Sequence, residues 1–545
     1  MESREIKNLV GGEVLTNELD LTKYSHDASI FEVVPSVAVK PKNVDDLKKL
    51  VKFVAENKAA NPELSLTARS GGTDMTGGPL NESIIFGFAN FNKIIEVNEQ
   101  GYTITEPGVY YRDFEKATLA KGWLLPSYPA SKEICTIGGM IANNSGGEKS
   151  LKYGKTDNYV EELDVVLADG GEYTIKSLSP QELEQKKTLP GLEGKIYTEM
   201  HDLLESNYDL IQQARPKVSK NSAGYALWNV WDRKNFDLTK LFVGSQGTLG
   251  LVTKIKLKLI KPAKFSKMLV IFLKDLKPLA DLVGLVMESH PESFESYDRH
   301  TLKLAIRFMP EIIRKMKGNG LMLMLRFLPE LGMILGGGLP ELVLLAEFTG
   351  DSEDGIYNKI ADLQARVRSE FKLKTRIAKN PDDAQKYWTI RRESFNLLRK
   401  HVQGKKSAPF IDDIIVPPAK LAEFLPKLQQ ILGNYKTLTY TIAGHAGDGN
   451  FHIIPLMDLS DPASRKIIEE LSEKVYDLVI EFGGSITAEH NDGLIRTPFL
   501  NKMYGPEICR LFEETKKIFD PQNIFNPRKK VWGDMQYAMN HIKND

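Results

Sequence analysis

From Pro35 to Ile260, short apolar runs alternate with amphipathic stretches and glycine clusters. Ser36–Val39 and Leu64–Ala68 read as strands, and between them Val44–Asn57 repeats its apolar positions at helical spacing. The pattern predicts a mixed helix-and-strand region. Beyond Lys261 and Pro262 the glycine clusters thin out, and longer strand and helix candidates follow, with Pro310–Lys317 and Asp382–His401 among the helices. A domain boundary near residue 262 is expected from that change. Glycine-rich segments return at Ala443–Asn450 and Phe482–Gly493. From Pro506 the tail predicts a helix, a turn at Asp520–Pro521–Gln522–Asn523, and a last short helix.

Composition narrows the function classes. Among 545 residues, 72 Lys and Arg balance 72 Asp and Glu, which excludes broad electrostatic attraction to nucleic acid or to an anionic membrane. A 42% hydrophobic and 26% charged chain is too apolar for intrinsic disorder. Its length corresponds to roughly three to four domain-sized units. Two cysteines, Cys135 and Cys509, cannot supply a four-thiolate iron–sulfur or zinc site and argue against a disulfide framework, so a reducing, cytoplasmic compartment is expected. Met1–Gly12 carries Glu2, Arg4, Glu5 and Lys7 and does not read as a secretory signal. The most apolar region, Leu321–Phe348, is interrupted by Arg326, Glu330, Glu341, Glu347 and two prolines. It falls short of the roughly 18 consecutive apolar residues that a membrane span requires, which leaves at most peripheral contact with the inner face of a membrane.

Four glycine-bearing segments carry the first candidate chemistry: Arg69–Gly78, Thr136–Met140, Asn143–Gly147 and Gly244–Gly250. Residues without Cβ let successive N–H groups turn toward one anion, and interleaved Ser, Thr and Asn add donors, as a pyrophosphate needs. Any one cluster is read more readily as a tight turn than as a ligand site; four in half a chain shift the balance toward a ligand. None fits G-x-G-x-x-G after a strand or G-x-x-x-x-G-K-[ST], so a Rossmann domain and a P-loop lose their main warrant.

The order and wording of these segments, with Pro107–Gly108–Val109 between them, resemble the FAD-linked oxidases related to vanillyl-alcohol oxidase. The resemblance implies an α+β fold, with a two-subdomain FAD-binding domain of the PCMH type and a substrate cap built on an antiparallel sheet. It implies that Arg69, Ser70, Gly71, Gly72, Thr73, Asp74 and Gly77 wrap the FAD pyrophosphate. Pro126, Thr136, Gly138, Gly139, Asn143, Ser145, Gly146 and Gly247 then follow the flavin, with Asn526 closing from the C-terminus. Ser70 and Gln246 stand where the family has Gly and Glu, and Arg528 replaces the glycine of a closing N-P-G-K. Members with covalent flavin attach it through a histidine in the first glycine loop. None lies between Arg69 and Gly78, so FAD is expected to be noncovalent.

The second constellation is Gly444–His452, a Gly-Asp-Gly-Asn centre between two apolar strand candidates, Leu438–Ile442 and Ile453–Leu456. A four-residue loop at Gly447–Asn450 sets His445 opposite His452, close enough to share one metal. Two histidines bonded to backbone in a polar hairpin are the alternative, and the segment alone does not choose. Glu489 and His490 can add a third ligand and a base if the strand ends near Glu489, as Asn491–Asp492–Gly493 allows. These residues resemble the family's D-2-hydroxyacid dehydrogenase branch, which includes D-lactate dehydrogenase, the glycolate oxidase flavoprotein subunit and D-2-hydroxyglutarate dehydrogenase. That resemblance makes His445, His452 and Glu489 ligands of zinc or manganese and His490 the general base. Arg391, in Trp388–Thr389–Ile390–Arg391, becomes the clamp on the substrate carboxylate, although a solvated helix arginine fits the charged surroundings of Arg392 and Arg399 as well.

The implied reaction is oxidation of a D-2-hydroxyacid to the 2-keto acid. His490 takes the hydroxyl proton, suited by an unperturbed pKa of roughly 6.5, and hydride passes to flavin N5. Ile454, where members favouring dicarboxylates carry asparagine, leans toward D-lactate and then glycolate. With no Cys-rich module, electrons are expected to leave to a quinone, a cytochrome, an electron-transfer flavoprotein or an iron–sulfur subunit. Two rival readings are a non-redox relative, alkyldihydroxyacetone-phosphate synthase, and a non-catalytic flavin subunit of an electron-transfer complex. The nine histidines include no consecutive run of the kind that synthase carries. The expected division is 1–262 for the FAD domain, 263–490 for the cap with the metal site, and 491–545 returning to the FAD domain.

Overall fold

The computed structural model describes residues 2–315, 338–401, 404–436 and 438–544. Three sheets organise these residues. The first contains β1 (Glu13–Leu15), β2 (Val37–Lys40), β3 (Leu66–Arg69) and β4 (Ile84–Gly87), in the order β1-β2-β4-β3. β2 and β3 run parallel to β4, and helix α1 (Val44–Asn57) makes the crossover. Its Leu47, Leu50, Val51 and Val54 recur at helical spacing and bury against Val37, Val39, Leu66, Ile84 and Phe86. Asn43 starts the helix by accepting a hydrogen bond from the Asp46 amide at 3.1 Å.

The second sheet is antiparallel: β5 (Ile94–Val97), β6 (Tyr102–Thr105), β7 (Val160–Val166), β8 (Glu172–Leu178), β9 (Phe236–Asp237) and β10 (Leu251–Lys258), ordered β5-β6-β10-β7-β8-β9. Strict alternation along β10 turns Leu251, Thr253, Ile255 and Leu257 inward. Helix α2 (Ile137–Asn143) packs Ile137, Met140 and Ile141 into the same core.

The third sheet takes its strands from residue 265 onward: β11 (Phe265–Leu273), β12 (Ser293–Asp298), β13 (Leu342–Gly350), β14 (Lys374–Ile377), β15 (Lys406–Ser407), β16 (Ile414–Ile415), β17 (Thr439–His445) and β18 (Asn450–Met457). The order is β14-β11-β13-β12-β17-β18-β15, with β16 also on β18 and every pairing antiparallel. β11 and β13 read as continuous apolar runs because both faces are covered. Leu269, Ile271, Leu344 and Ala346 enter one core with Ile356, Ile360, Leu363 and Val367 of helix α3 (Glu353–Phe371). Met268, Val270, Val343 and Leu345 face Tyr387, Trp388 and Ile390 of helix α4 (Pro381–His401).

Most expected elements appear with shifted ends. Leu321–Phe348 overlaps the fold only in β13, since 316–337 lies outside the described residues, as does the end of Pro310–Lys317 beyond Lys315. The terminal helix α5 (Leu500–Phe519) begins before Pro506, because Gly505 breaks it at φ 76° and lets two helical pieces join there. After the turn at Asp520, Ile524 accepts a hydrogen bond from the Leu66 amide at 2.7 Å and the Asn526 amide donates to Leu66 O at 2.9 Å, so the tail extends the first sheet along β3. From Asn526 to Trp532 every second residue has positive φ: 40°, 66°, 67° and 52° at Asn526, Arg528, Lys530 and Trp532. Arg528 thus stands in the left-handed region that glycine adopts most readily. Among the described residues no helix is long and apolar enough to cross a membrane, and both cysteines are free.

Candidate active site

One cavity of about 650 Å³ runs between the glycine loops and the third sheet. Its first wall holds Ser70, Gly71, Gly72, Thr73, Asp74, Gly139, Asn143, Ser145, Gly146 and Gly247. Close backbone approach builds this wall. Ser70 Oγ and Thr136 Oγ1 lie 2.5 Å apart, and a Cβ on Gly139 would sit 2.5 Å from Ser70 Oγ. Gly72 turns at φ 70°. Asp74 enters the wall with Oδ2 accepting from Thr76 Oγ1 at 2.8 Å and from the Gly78 amide at 2.6 Å, while its buried Oδ1 has no partner. Burial pushes its carboxyl up, against those bonds.

Six further residues expected on the cofactor do not themselves line the cavity. Arg69 donates to the His26 carbonyl at 2.7 Å, and Gly77 packs on Phe31 and Leu494. Pro126 is buried, Thr136 bonds Ser70, and Gly138 abuts Pro107. Asn526 donates to the Gly78 and Gln246 carbonyls at 2.9 and 2.6 Å. They shape the loops that carry the lining residues.

The opposite wall holds Arg391, Asp412, His445, His452, Ile454, Glu489 and His490. The β17–β18 hairpin differs from the expected register. His445 faces Asn450, and His452 faces Ala443, because the loop is Ala446–Gly449. The shift is by two positions, so both histidines stay on one face and meet diagonally, with ring centroids 5.3 Å apart. His490 stacks on His452 at 5.0 Å and 25°.

Glu489 and His490 reach the cavity because Thr487–His490 is not a strand. It wraps around the Asp413 carboxylate, whose Oδ2 accepts from Thr487 Oγ1 and from the amides of Ala488, Glu489 and His490 at 2.7 to 2.9 Å. Lys155, fully buried, donates to the Ala488 carbonyl at 2.8 Å from the other side. Asp413, His452, Glu489 and His490 all carry a candidate ligand atom within 4.8 Å of one another. His445 adjoins the group, with Nε2 3.6 Å from Glu489 Oε2. With four donors on Oδ2 and Asn450 on Oδ1, Asp413 is already saturated as a loop anchor. The histidines and Glu489 are the better ligands.

Each of the three imidazoles turns Nδ1 to a buried carboxylate: His445 to Glu295 at 2.6 Å, His452 to Asp412 Oδ1 at 3.1 Å, and His490 to Asp412 Oδ2 at 2.9 Å. The last is an ion-pair contact without hydrogen-bond alignment. Carboxylates on Nδ1 leave Nε2 lone pairs for a cation, the usual arrangement of metal-bound histidine. Glu489 Oε1 takes a 2.6 Å bond from Lys220, which also sits 2.8 Å from Asp448. Burial pulls the Lys220 ammonium down, but Asp448 and Glu489 outweigh it and raise its pKa. Burial alone would raise Glu489; Lys220 and then His445 hold its carboxyl well below the usual range.

The sequence expectation of an ordinary imidazole at His490 does not hold. Burial pulls it down, yet Asp412 and then Asp413 push it up to about 9. His445 likewise reaches about 9, with burial opposed chiefly by Glu295. A cation bound among these rings would offset the carboxylates, so the donor set fits one electrostatically as well as geometrically. Arg391 is not a solvated helix residue either. Its side chain is 12% exposed and Nη2 pairs with Glu295, while its buried Nε has no partner.

Glu295, Asp412, Asp413, Lys155 and Lys220 escaped the sequence reading. Asp412 and Asp413 had a signal, two adjacent acids inside the apolar run Phe410–Val416, and Glu295 had one in a six-residue strand buried throughout. Lys155 and Lys220 had none.

Comparison with known proteins separates the same two halves. A model of the FAD binding domain matches residues 35–176, and one of the C-terminal domain of FAD linked oxidases matches 263–530. The chain belongs to the FAD-linked oxidases. Over 95% of its length this FAD-linked oxidase is 28% identical to a D-2-hydroxyglutarate dehydrogenase of Pseudomonas putida, yet it spans only about half (50%) of that relative. It is 28% identical to the glycolate oxidase subunit GlcD of Bacillus subtilis, covering 93% of this chain and 91% of the other. With a D-lactate dehydrogenase of Anaerostipes hadrus it shares 27%, over 96% and 94% of the two chains. Among solved structures, p-cresol methylhydroxylase with substrate bound superposes at TM-score 0.69 and 16% identity over 97% and 96% of the chains. An alkyldihydroxyacetonephosphate synthase follows at TM-score 0.65 and 15% over 96% and 85%. These likenesses establish the PCMH-type FAD-oxidase fold.

Proposed function

We propose that this FAD-linked oxidase dehydrogenates a small D-2-hydroxyacid, D-lactate first and glycolate next, to the 2-keto acid. The convergence of Arg391, His445, His452, Glu489 and His490 on the cavity faced by the glycine loops carries the reading. Relatives named for D-lactate and glycolate, matched over nearly their whole length, support it. FAD, held noncovalently against Ser70–Asp74 and Asn143–Gly146, supplies the hydride acceptor at N5. Zinc or manganese on His445, His452 and Glu489 supplies Lewis acidity toward the substrate hydroxyl.

The protein's own groups do the rest. Arg391 fixes the substrate carboxylate with the edge of its guanidinium not taken by Glu295. His490 faces Asp412 with Nδ1 and turns Nε2 toward the hydroxyl proton; it serves as general base once a cation on the neighbouring ligands offsets the carboxylates that raise its pKa. Lys220 keeps Glu489 ionised and aimed. Ile454 on the wall disfavours a second carboxylate, and Arg392 is engaged by Glu148 at 2.5 Å. A bound flavin would need an electron acceptor, for which a quinone, a cytochrome, an electron-transfer flavoprotein or an iron–sulfur subunit are the candidates.

The test is the visible spectrum of metal-replete protein under anaerobic conditions, before and after D-lactate, with L-lactate as control. Bleaching of the oxidised flavin band by the D isomer alone is expected. An unchanged band rejects D-lactate and moves the test to glycolate and larger D-2-hydroxyacids; protein without a flavin band refutes the FAD reading.

A further inference from the structure

Two carboxylates behind the metal-ligand histidines each have a second partner, and in both cases that partner handles substrate rather than metal. Glu295, 1% exposed in the middle of β12, holds His445 Nδ1 at 2.6 Å with Oε1 and Arg391 Nη2 with Oε2. Asp412, wholly buried, holds His452 Nδ1 with Oδ1 at 3.1 Å and faces His490 Nδ1 with Oδ2 at 2.9 Å. Neither acid can swing away. Glu295 lies between β13 and β17, its strand paired on both sides. Asp412 is pinned through its carbonyl by the buried Arg496 at 2.5 Å.

A carboxylate only accepts, so the Nδ1 atoms of His445 and His452 that bond one carry a proton, while His490 is turned by the charge its Nδ1 faces; all three leave Nε2 toward the cavity. Asp412 therefore fixes the tautomer of a ligand and the orientation of the base together. Glu295 fixes a ligand's tautomer and the position of the clamp. We infer that Glu295 and Asp412 are positioning residues that make metal loading and the arrangement of Arg391 and His490 a single event. A metal ion that draws His445 and His452 inward draws on the same two carboxylates that seat the clamp and the base. The inference deepens the metal-assisted reading above and rests on it.

The test uses flavin-loaded, metal-stripped protein titrated with zinc and with manganese against a chromophoric chelator, for wild type, Glu295→Gln and Asp412→Asn. An amide in either position must point a donor at one of its two partners. Metal affinity is expected to fall by about 10–100-fold in each variant. At saturating metal the two should then part. Glu295→Gln raises KM for D-lactate about tenfold with kcat nearly kept, and Asp412→Asn lowers kcat about tenfold with KM nearly kept. Unchanged metal affinity in both variants overturns the inference, and so does recovery of wild-type kcat and KM once metal is saturating, which would make both acids supports of the metal alone. Wild-type protein that takes up neither metal refutes the metal reading itself, a distinct outcome. If a variant does not fold, nitrogen NMR of histidine-labelled wild-type protein still decides: Nδ1-protonated rings at His445, His452 and His490 are expected with metal bound, and an Nε2-protonated His490 overturns the inference.

Discussion

The two walls of the cavity are built on opposite principles. The glycine-loop wall is made of backbone: its shape comes from missing side chains, hydroxyls and turns, and its buried acid, Asp74, is pushed by burial toward the neutral form. The sheet wall is made of charge. Three histidines, Arg391 and the carboxylates of Glu295, Asp412, Asp413 and Glu489 stand in a mostly buried layer, each placed by another charge. A backbone-built wall is specified locally and fails by crowding. A charge-built wall is specified by partners far apart in the chain and fails by leaving one of them alone.

Four substitutions press on that contrast. The largest effect is expected at His490→Ala, where loss of the base should cost about a hundredfold to ten-thousandfold in turnover with flavin and metal retained; unchanged steady-state turnover would remove His490 from the chemistry. On the charged wall Lys220→Met leaves Asp448 and Glu489 buried without their shared ammonium. It should cost about 3–5 kcal/mol in a denaturant titration of the metal-free protein. On the backbone wall Gly71→Ala brings a Cβ to 2.4 Å from the Ile134 carbonyl. Flavin content, read as the ratio of visible to ultraviolet absorbance, should drop roughly tenfold while metal uptake stays as in wild type. If the metal site suffers equally, the two walls are not independent.

The smallest effect concerns a charge on the backbone side. Lys529 is buried, and its ammonium is pushed down to about 7 by burial first and Arg528 second. Between pH 7 and the ordinary lysine value the unfolded chain binds a proton that the folded one does not. Wild type should therefore gain stability over Lys529→Met as pH rises through that window, by about 1.4 kcal/mol per pH unit, and lose the gain as pH falls back to 7. Thermal melts of both proteins at pH 6, 8 and 9 measure it.

The same contrast explains what could be read from sequence. The glycine loops were legible because their function lies in consecutive residues. Gly71, Gly72 and Gly139 line the cavity, while Gly138 and Thr136 pack against Pro107 and Ser70. The helix at Val44–Asn57 was equally plain, since its apolar spacing is local. The histidine hairpin was half legible. Period-two alternation kept His445 and His452 on one face even though the loop sits elsewhere, because a register shift of two preserves the face. The carboxylates that orient those histidines were hidden. Glu295 lies 150 residues from His445 and Asp412 lies 40 from His452, and no spacing rule connects them. The ordinary imidazole expected at His490 failed for that reason.

The pairing of Leu66 with Ile524–Asn526 also has a meaning for synthesis. β3 is an edge of the first sheet until that tail arrives, and the bond between Thr67 and Asn526 spans 459 positions. As the chain leaves the ribosome, the N-terminal sheet forms early with one border open, and almost the whole protein must emerge before the border is closed. During translation that strand is the place where a chaperone, or a second nascent copy, meets an unpaired edge.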